Sequence, residues 1–162
     1  ILGMKYIKIF ANSNNCITAI LGKSMQEAFV DPQISNISVA IWKEGLNVVK
    51  GSGINLVSLP DFSLEQVVKL TSLPTAQAAV IFSGIMTSLS KEPLYGSILQ
   101  SIKRKRQSEI DYINGEFINL ARQHNLKAPL NQKLVEMVHA VEKTGKFFSK
   151  EDLIDNTKGL WS

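Results

Sequence analysis

The spacing of apolar residues constrains the fold of this chain more than any other feature of its sequence. Between residues 6 and 21, four apolar side chains recur at intervals of three, four and seven: Ile7, Phe10, Ile17 and Leu21. These intervals place the side chains on one face of an α-helix. The pattern predicts one helix over residues 6–21 and, after Gly22, a short second helix over residues 23–29.

Further apolar stripes of the same kind cover most of the remaining chain. One runs over residues 34–48, and prolines bound two more helical segments over residues 64–70 and 76–89. In the last third, one stripe ends near Asn125 and another begins after Pro129. The sequence therefore predicts an all-α domain of about six or seven helices.

Capping residues mark two helix starts in the last third of the chain. Ser108 is followed three positions later by Asp111, which resembles a capping box. Asn131 has a side chain suited to cap the helix that follows Pro129.

Size and composition exclude several classes of protein. With 162 residues, 44% hydrophobic and 20% charged, the chain fits a single globular domain over residues 1–162, and no apolar run reaches the roughly eighteen residues of a membrane span. A single cysteine, Cys16, and two histidines allow no disulfide framework and no Cys/His zinc site, so we expect no metal. The lone cysteine favours a reducing compartment, and we expect a cytoplasmic protein with no membrane partner.

No nucleotide-binding motif is complete in this chain. Gly51-Ser52-Gly53 begins a dinucleotide-binding pattern, but Leu56 stands where its third glycine belongs. The chain also opens at Ile1 rather than at methionine, with no signal peptide. We therefore expect a piece of a longer protein, with any nucleotide-binding fold outside it.

A polar face on the first predicted helix is a candidate pocket wall. At about 100° per residue, a narrow arc away from the apolar stripe holds Lys8, Asn12, Asn15 and Ala19. An ammonium and two carboxamides suit a substrate with carboxylate, carbonyl and hydroxyl groups, although a solvated helix face would have the same composition. Asn14 lies on the apolar side, where we expect a hydrogen-bonded core amide rather than a ligand.

The second candidate region covers residues 97–115. Its basic run, residues 103–106, would suit phosphate contacts with a nucleic acid, but it has no interleaved aromatic residues and a solvated helix turn explains it as well. Glu109 lies in the first turn of a predicted helix, where the helix dipole favours an ionised carboxylate. Periodicity alone leaves both interpretations open.

Taken together, these segments resemble the C-terminal domain of the ketopantoate reductase (2-dehydropantoate 2-reductase) family. Residues 8–19 are similar to its Lys-x-x-x-Asn helix, and residues 97–115 to its Ser-Met-Leu-Gln … Glu-Ile-Asp-x-Asn-Gly signature. Ala128-Pro129-Leu130-Asn131 resembles its Thr-Pro-x-Asn helix start, and residues 142–149 also match the family. The Glu-Ile-Asp … Asn-Gly segment with Pro-x-Asn downstream is the specific part of the resemblance.

The resemblance implies a fold, a reaction and a set of residue roles. The fold would be the all-α domain of the 6-phosphogluconate dehydrogenase C-terminal type, preceded in the whole enzyme by a Rossmann domain that binds NADPH. Lys8 would be the general acid for the carbonyl oxygen, with Glu109 nearby as the second catalytic residue. Asn12, Asn15 and Ser97 would bind the substrate, and without the Rossmann domain we expect the isolated domain to be inactive.

Departures from the family pattern keep other substrates and functions open. Leu94 stands where many members have a substrate-binding asparagine, and Ser101 replaces a frequent aspartate. Such changes would suit a different 2-keto acid. The other alternative is a helical interaction module, either a homodimerisation domain without chemistry or a nucleic-acid binder, although we expect no nucleic-acid partner.

Overall fold

A computed structural model describes residues 1–161 of the chain, and helices are its only regular elements. The all-α prediction is confirmed. Among the described residues, extended backbone pairs only at the isolated bridge between Leu59 and Phe62. The helices, in chain order, are α1 Leu2–Asn12, α2 Asn15–Leu21, α3 Met25–Phe29, α4 Pro32–Gly51, α5 Leu64–Ser72, α6 Thr75–Thr87, α7 Ser97–Lys103, the 3₁₀ helix Ile110–Tyr112, α8 Asn114–Gln123, α9 Pro129–Thr144 and α10 Lys150–Thr157.

The described residues form ten α-helices, more than the six or seven expected, because short polar segments divide the chain further. The helix predicted over residues 6–21 is in fact two helices, α1 and α2, separated at Ser13 and Asn14. The hydroxyl of Ser13 donates to the carbonyl of Phe10 at 2.9 Å, a local bond that competes with helix continuation. The short helices α7 and α10 have too few turns to show a clear apolar stripe.

The long helix α4 is the centre of the fold. It begins with Pro32 at its first position, and the side chain of Asp31 accepts a hydrogen bond from the Gln33 N–H at 2.9 Å. Helices α3, α5, α6, α8 and α9 all pack against it. Ile37 and Ile41 are fully buried along it, and each such side chain stabilises the fold by about 1.5–3 kcal/mol. None of the helices in the described part of the chain has the length and apolar character needed to cross a bilayer.

Both predicted helix caps in the last third are wrong. Helix α9 begins at Pro129, so Asn131 is its third residue rather than its cap. The cap comes instead from α4, because the Glu44 carboxylate accepts hydrogen bonds from the N–H groups of Leu130 at 2.9 Å and Asn131 at 2.8 Å. A cap supplied by a residue 86 positions away leaves no local sequence signal.

The capping box predicted at Ser108 and Asp111 is also absent from this part of the structure. The Ser108 hydroxyl accepts a long hydrogen bond of 3.4 Å from the Ile110 N–H. The carboxylate of Asp111 turns outward to His139 instead, at 2.9 Å. A capping box does occur at Ser24 and Glu27, at the start of α3.

Candidate functional site

Lys8 and Asn12 lie one turn apart on an exposed face of α1. The Asn12 carboxamide donates a hydrogen bond to the Lys8 carbonyl at 3.1 Å, which holds the amide beside the lysine stem. Within residues 1–161, the Lys8 ammonium forms no ion pair and no side-chain hydrogen bond. It is therefore available to meet negative charge supplied by a ligand.

Asn15 lies on α2, which packs along α7, the helix that begins at Ser97. Asn15 is the first residue of α2 and is buried. A Cβ added at Gly96 would lie 3.1 Å from both Cγ and Oδ1 of Asn15, so glycine permits this close approach. Ser97 follows Gly96 as the exposed first residue of α7. The structure thus places Asn15 against Gly96, the residue that precedes Ser97.

Glu109 is exposed and immediately precedes the 3₁₀ helix. No hydrogen bond or ion pair joins Glu109 to Lys8 in the part of the chain that the structure describes. The Glu109 segment is anchored by its neighbours, since the Ser108 N–H donates to the Glu142 carboxylate at 2.6 Å. The pairing of Glu109 with the lysine therefore stays a prediction.

Close to this hydrogen bond between Ser108 and Glu142, a histidine lies between two carboxylates. His139 Nδ1 lies 2.6 Å from Glu142 Oε1, and its Nε2 lies 2.9 Å from Asp111 Oδ1. Partial burial alone would lower the pKa of His139, but the hydrogen bonds and charges of Asp111 and Glu142 raise it above its ordinary value. Protonated His139 therefore ties α9 to the segment that presents Glu109.

A buried hydrogen-bond network fixes the break between α1 and α2. The indole N–H of Trp42 donates to the Phe10 carbonyl and to the Ser13 hydroxyl oxygen, both at 3.1 Å. The Asn114 amide donates to the Ser13 carbonyl at 3.0 Å and to Asn131 Oδ1 at 2.9 Å. Helices α4, α8 and α9 thereby hold the angle at which Lys8's helix meets the helix of Asn15.

Glu44 completes this network. Its carboxylate accepts a further hydrogen bond, at 2.9 Å, from the Asn131 side-chain amide. Burial raises the pKa of Glu44, while its hydrogen bonds from Asn131 and Leu130 act in the opposite direction. The carboxylate therefore links α4 to the start of α9.

Asn14 differs most from its predicted role. It is only 7% exposed, and neither its Nδ2 nor its Oδ1 has a hydrogen-bond partner among the described residues. The prediction of a satisfied core amide is therefore wrong. That prediction assumed one continuous helix, whereas the chain breaks at residues 13 and 14. Asn14 and Asn15 both border a cavity of about 250 Å³, but the Asn14 amide group itself is buried. The run of four short polar residues at 12–15 was the available signal for this break.

Comparison with known families identifies the family of this chain. The family model described as "Ketopantoate reductase PanE/ApbA C terminal" matches residues 1–142. The chain belongs to this family. The family resemblance inferred from residues 8–19, 97–115 and 128–131 is therefore confirmed.

Curated relatives of this ketopantoate reductase domain are longer than the chain. The 2-dehydropantoate 2-reductase of Pyrococcus horikoshii is 32% identical over 146 residues, which cover 90% of this chain and 42% of the relative. The Shigella flexneri 2-dehydropantoate 2-reductase is 48% identical over 46 residues, 28% of this chain and 15% of the relative. The chain thus spans less than half the length of these relatives.

Two solved structures share the fold of this ketopantoate reductase domain. A D-mandelate dehydrogenase, solved with NADH and anilino(oxo)acetate, is 26% identical with a TM-score of 0.63 over 86% of this chain and 40% of its own. A dimeric ketopantoate reductase from Staphylococcus aureus has a TM-score of 0.64 at 18% identity, over 90% of this chain and 45% of its own. At that identity, the second comparison bears on the fold alone.

In the structure, two asparagines of the family motifs have a structural role that was not evident from the sequence. Asn114, from the Asn-Gly step, and Asn131, from the Pro-x-Asn start, are the two fully buried amides of the network around Ser13. Both side chains lie in the core, where they help to fix the backbone at the α1–α2 break.

The described residues do not by themselves form a dinucleotide site. A Rossmann nucleotide site needs a strand, a glycine-rich turn and a helix, and helices are the only regular elements of residues 1–161. Nor does the described chain contain a group of three or more His, Cys, Asp or Glu side chains able to hold a metal ion.

Proposed function

We propose that this chain is the substrate-binding and proton-donating domain of an NADPH-dependent reductase that converts ketopantoate to pantoate, a step in pantothenate biosynthesis. In that reaction a hydride adds to the C2 carbonyl carbon while the carbonyl oxygen takes a proton, and the ketone becomes a secondary alcohol. Lys8 donates the proton from its ammonium group. Negative charge that develops on the oxygen is met by the same cation.

The single observation that carries this proposal is the free ammonium of Lys8 beside Asn12 on an exposed face of α1. Asn12 stands one turn away and offers donors and an acceptor to the polar groups of the substrate. Asn15 extends this set from the start of α2. Ser97, at the start of α7, binds the carboxylate end of the substrate through its hydroxyl.

Glu109 is the second catalytic residue of this proposal. Its carboxylate has no side-chain partner within the described residues and stands on a segment fixed by Glu142 and His139. A carboxylate brought close to Lys8 favours the charged form of the lysine, whereas desolvation opposes it.

The cofactor and partners follow from the family. We propose that NADPH is held mainly by a Rossmann domain elsewhere in the same protein, and that the substrate lies in the cleft between that domain and this one. We also propose a homodimer as the assembled form of the whole protein. The lone buried Cys16 suits a reducing compartment, and we place the reaction in the cytoplasm.

One observation favours a second candidate substrate. The D-mandelate dehydrogenase of similar fold was solved with anilino(oxo)acetate, a 2-keto acid derivative with an aromatic ring. Leu94 stands where many family members have a substrate-binding asparagine, and its backbone N–H donates to the Gln26 side chain at 3.0 Å. A reductase of another 2-keto acid is therefore the alternative to ketopantoate.

The test uses the natural full-length protein and measures consumption of NADPH with ketopantoate. Changing Lys8→Ala should lower kcat by roughly 10²–10⁴, the usual contribution of a positioned acid. Lys5→Ala is the matched control, because Lys5 lies on the same helix but pairs with Glu116 at 3.5 Å. Equal turnover in the two variants would remove Lys8 from the mechanism.

The remaining alternative, an interaction module, predicts different behaviour. Neutralising the basic run at residues 103–106 should then abolish salt-dependent binding of DNA or RNA. In the structure this run ends α7, and Lys103 stacks 4.6 Å from the ring centre of Tyr95. Absence of turnover with any 2-keto acid, together with such binding, would replace the reductase proposal.

A further inference from the structure

Helix α9 holds the segment that presents Glu109 on both sides of that residue. On the N-terminal side, the buried Ser108 donates its N–H to Glu142 Oε2 at 2.6 Å. On the C-terminal side, Asp111 Oδ1 lies 2.9 Å from His139 Nε2. Glu142 and His139 are three residues apart on α9, so both attachments start from one turn of the same helix.

The backbone at Glu109 has little freedom between these attachments. Ile110, the next residue, is fully buried, and the Glu109 carbonyl accepts a hydrogen bond from the Tyr112 N–H at 2.8 Å. Residues 104–107, in contrast, are exposed and lie outside the helices. The contacts from Ser108 onward, rather than the chain before it, therefore set the position from which the Glu109 side chain projects.

One side chain, His139, connects the two attachments. Its Nδ1 lies 2.6 Å from Glu142 Oε1, so each of its ring nitrogens faces a carboxylate. An ionised carboxylate only accepts hydrogen bonds and a neutral imidazole has a single donor, so only the imidazolium form donates to Asp111 and Glu142 together. These two carboxylates are the charged groups that pair with His139 within residues 1–161. Removing the imidazole therefore releases Asp111 and leaves Glu142 without its cation.

We propose that His139 and Glu142 are positioning residues for Glu109, and that they act by holding residues 108–111 in the conformation that carries the Glu109 carboxylate to the substrate. The inference rests on the proposed reductase function and deepens it. Neither side chain touches the substrate, and both act through Glu109. A reacting group misplaced by about 1 Å can lower a rate by about 10²-fold, so loosening this segment lowers kcat.

The test measures kcat and KM of the natural full-length protein with NADPH and ketopantoate, or with another 2-keto acid if the parent prefers it. His139→Gln should lower kcat about tenfold or more and change KM by less than about twofold, because other residues bind the substrate. His124→Gln is the matched control, since His124 is exposed at the end of α8 and its side chain pairs with no described residue. Its kcat should stay within about twofold of the parent value.

A double-mutant cycle separates positioning from general support of the fold. In a Glu109→Gln background, His139→Gln should lower kcat by less than about twofold more, because the group that it positions is already absent. Glu142→Ala should show the same dependence on Glu109. Asp111→Ala removes one attachment at a side chain that is 50% exposed, where a substitution leaves the fold intact, and it keeps the test valid if Glu142→Ala does not fold.

The outcomes distinguish the two proposals. If the parent protein reduces no 2-keto acid with NADPH or NADH, or if Glu109→Gln keeps the parent kcat, the proposed mechanism fails and the positioning role falls with it. If the parent turns over a 2-keto acid and depends on Glu109, either of two results overturns the positioning role alone. One is a parent-like kcat in His139→Gln, and the other is the same loss of kcat from His139→Gln with and without Glu109.

Discussion

Asn114 offers the sharpest test of how the fold supports the site. Its amide joins the α1–α2 break to α9 through hydrogen bonds to the Ser13 carbonyl and to Asn131 Oδ1. The perturbation is Asn114→Ala, which removes both bonds. Asn119→Ala is the matched control, because Asn119 lies on the same helix but is exposed and forms no side-chain hydrogen bond with any described residue.

The expected destabilisation by Asn114→Ala follows from the hydrogen bonds that are lost and from the buried polar atoms that gain or lose a partner. Two lost hydrogen bonds cost about 1 kcal/mol each. The Ser13 carbonyl still accepts a hydrogen bond from the Cys16 thiol at 3.2 Å. Asn131 Oδ1 loses its donor, and leaving this buried acceptor unpaired costs about 1–3 kcal/mol. Asn114 Oδ1 is itself buried without a partner, so its removal returns a similar amount. The last two contributions cancel, and about 2 kcal/mol of destabilisation remains.

The assay is urea unfolding of the chain, followed by circular dichroism of its helices. Asn114→Ala should lower the free energy of unfolding by about 2 kcal/mol, or Tm by roughly 4–8 °C for a domain of this size. Asn119→Ala should stay within about 0.5 kcal/mol of the parent. If the two variants are equally stable, the network does not hold the α1–α2 junction in the way that its distances suggest.

Two further predictions concern stability. Gly84→Ala should raise the free energy of unfolding by about 0.5–1 kcal/mol, because a Cβ there meets nothing within 4 Å in the described chain. Gly45→Ala should lower the free energy of unfolding by about 1–3 kcal/mol, because its Cβ would lie 2.7 Å from the buried ring of Phe117. Thermal unfolding of both variants tests this prediction, and a change of the same sign in both would contradict it. Since the folded-state pKa of His139 is raised, its contribution to stability is complete below its unfolded-state pKa of about 6.5 and is lost as pH rises through the folded-state value. The free energy of unfolding should therefore fall slightly as pH rises above about 6.5, and His139→Gln should flatten that slope; equal slopes in parent and variant would rule the effect out.

The sequence by itself determined the helical class and most helix positions. The apolar stripe over residues 34–48 became α4, and that over residues 64–70 became α5, because one face of each helix must be buried against the rest. Residues 1–142 also carry enough of the family's motifs to show the family. Periodicity and motif spacing are local properties, so a sequence displays them directly.

Only the tertiary structure decided how α1 meets α2 and what Asn14 and Glu44 do. The helical projection that placed Asn14 on the apolar side assumed an unbroken helix. The break is held by hydrogen bonds to Trp42 and Asn114, which are 29 and 101 residues from Ser13. Glu44 caps a helix 86 residues further along the chain. These roles arise where distant segments share one buried space, and a buried polar group takes whichever partner the packing brings to it. Because these hydrogen-bond partners come from distant segments, no local sequence pattern predicts them.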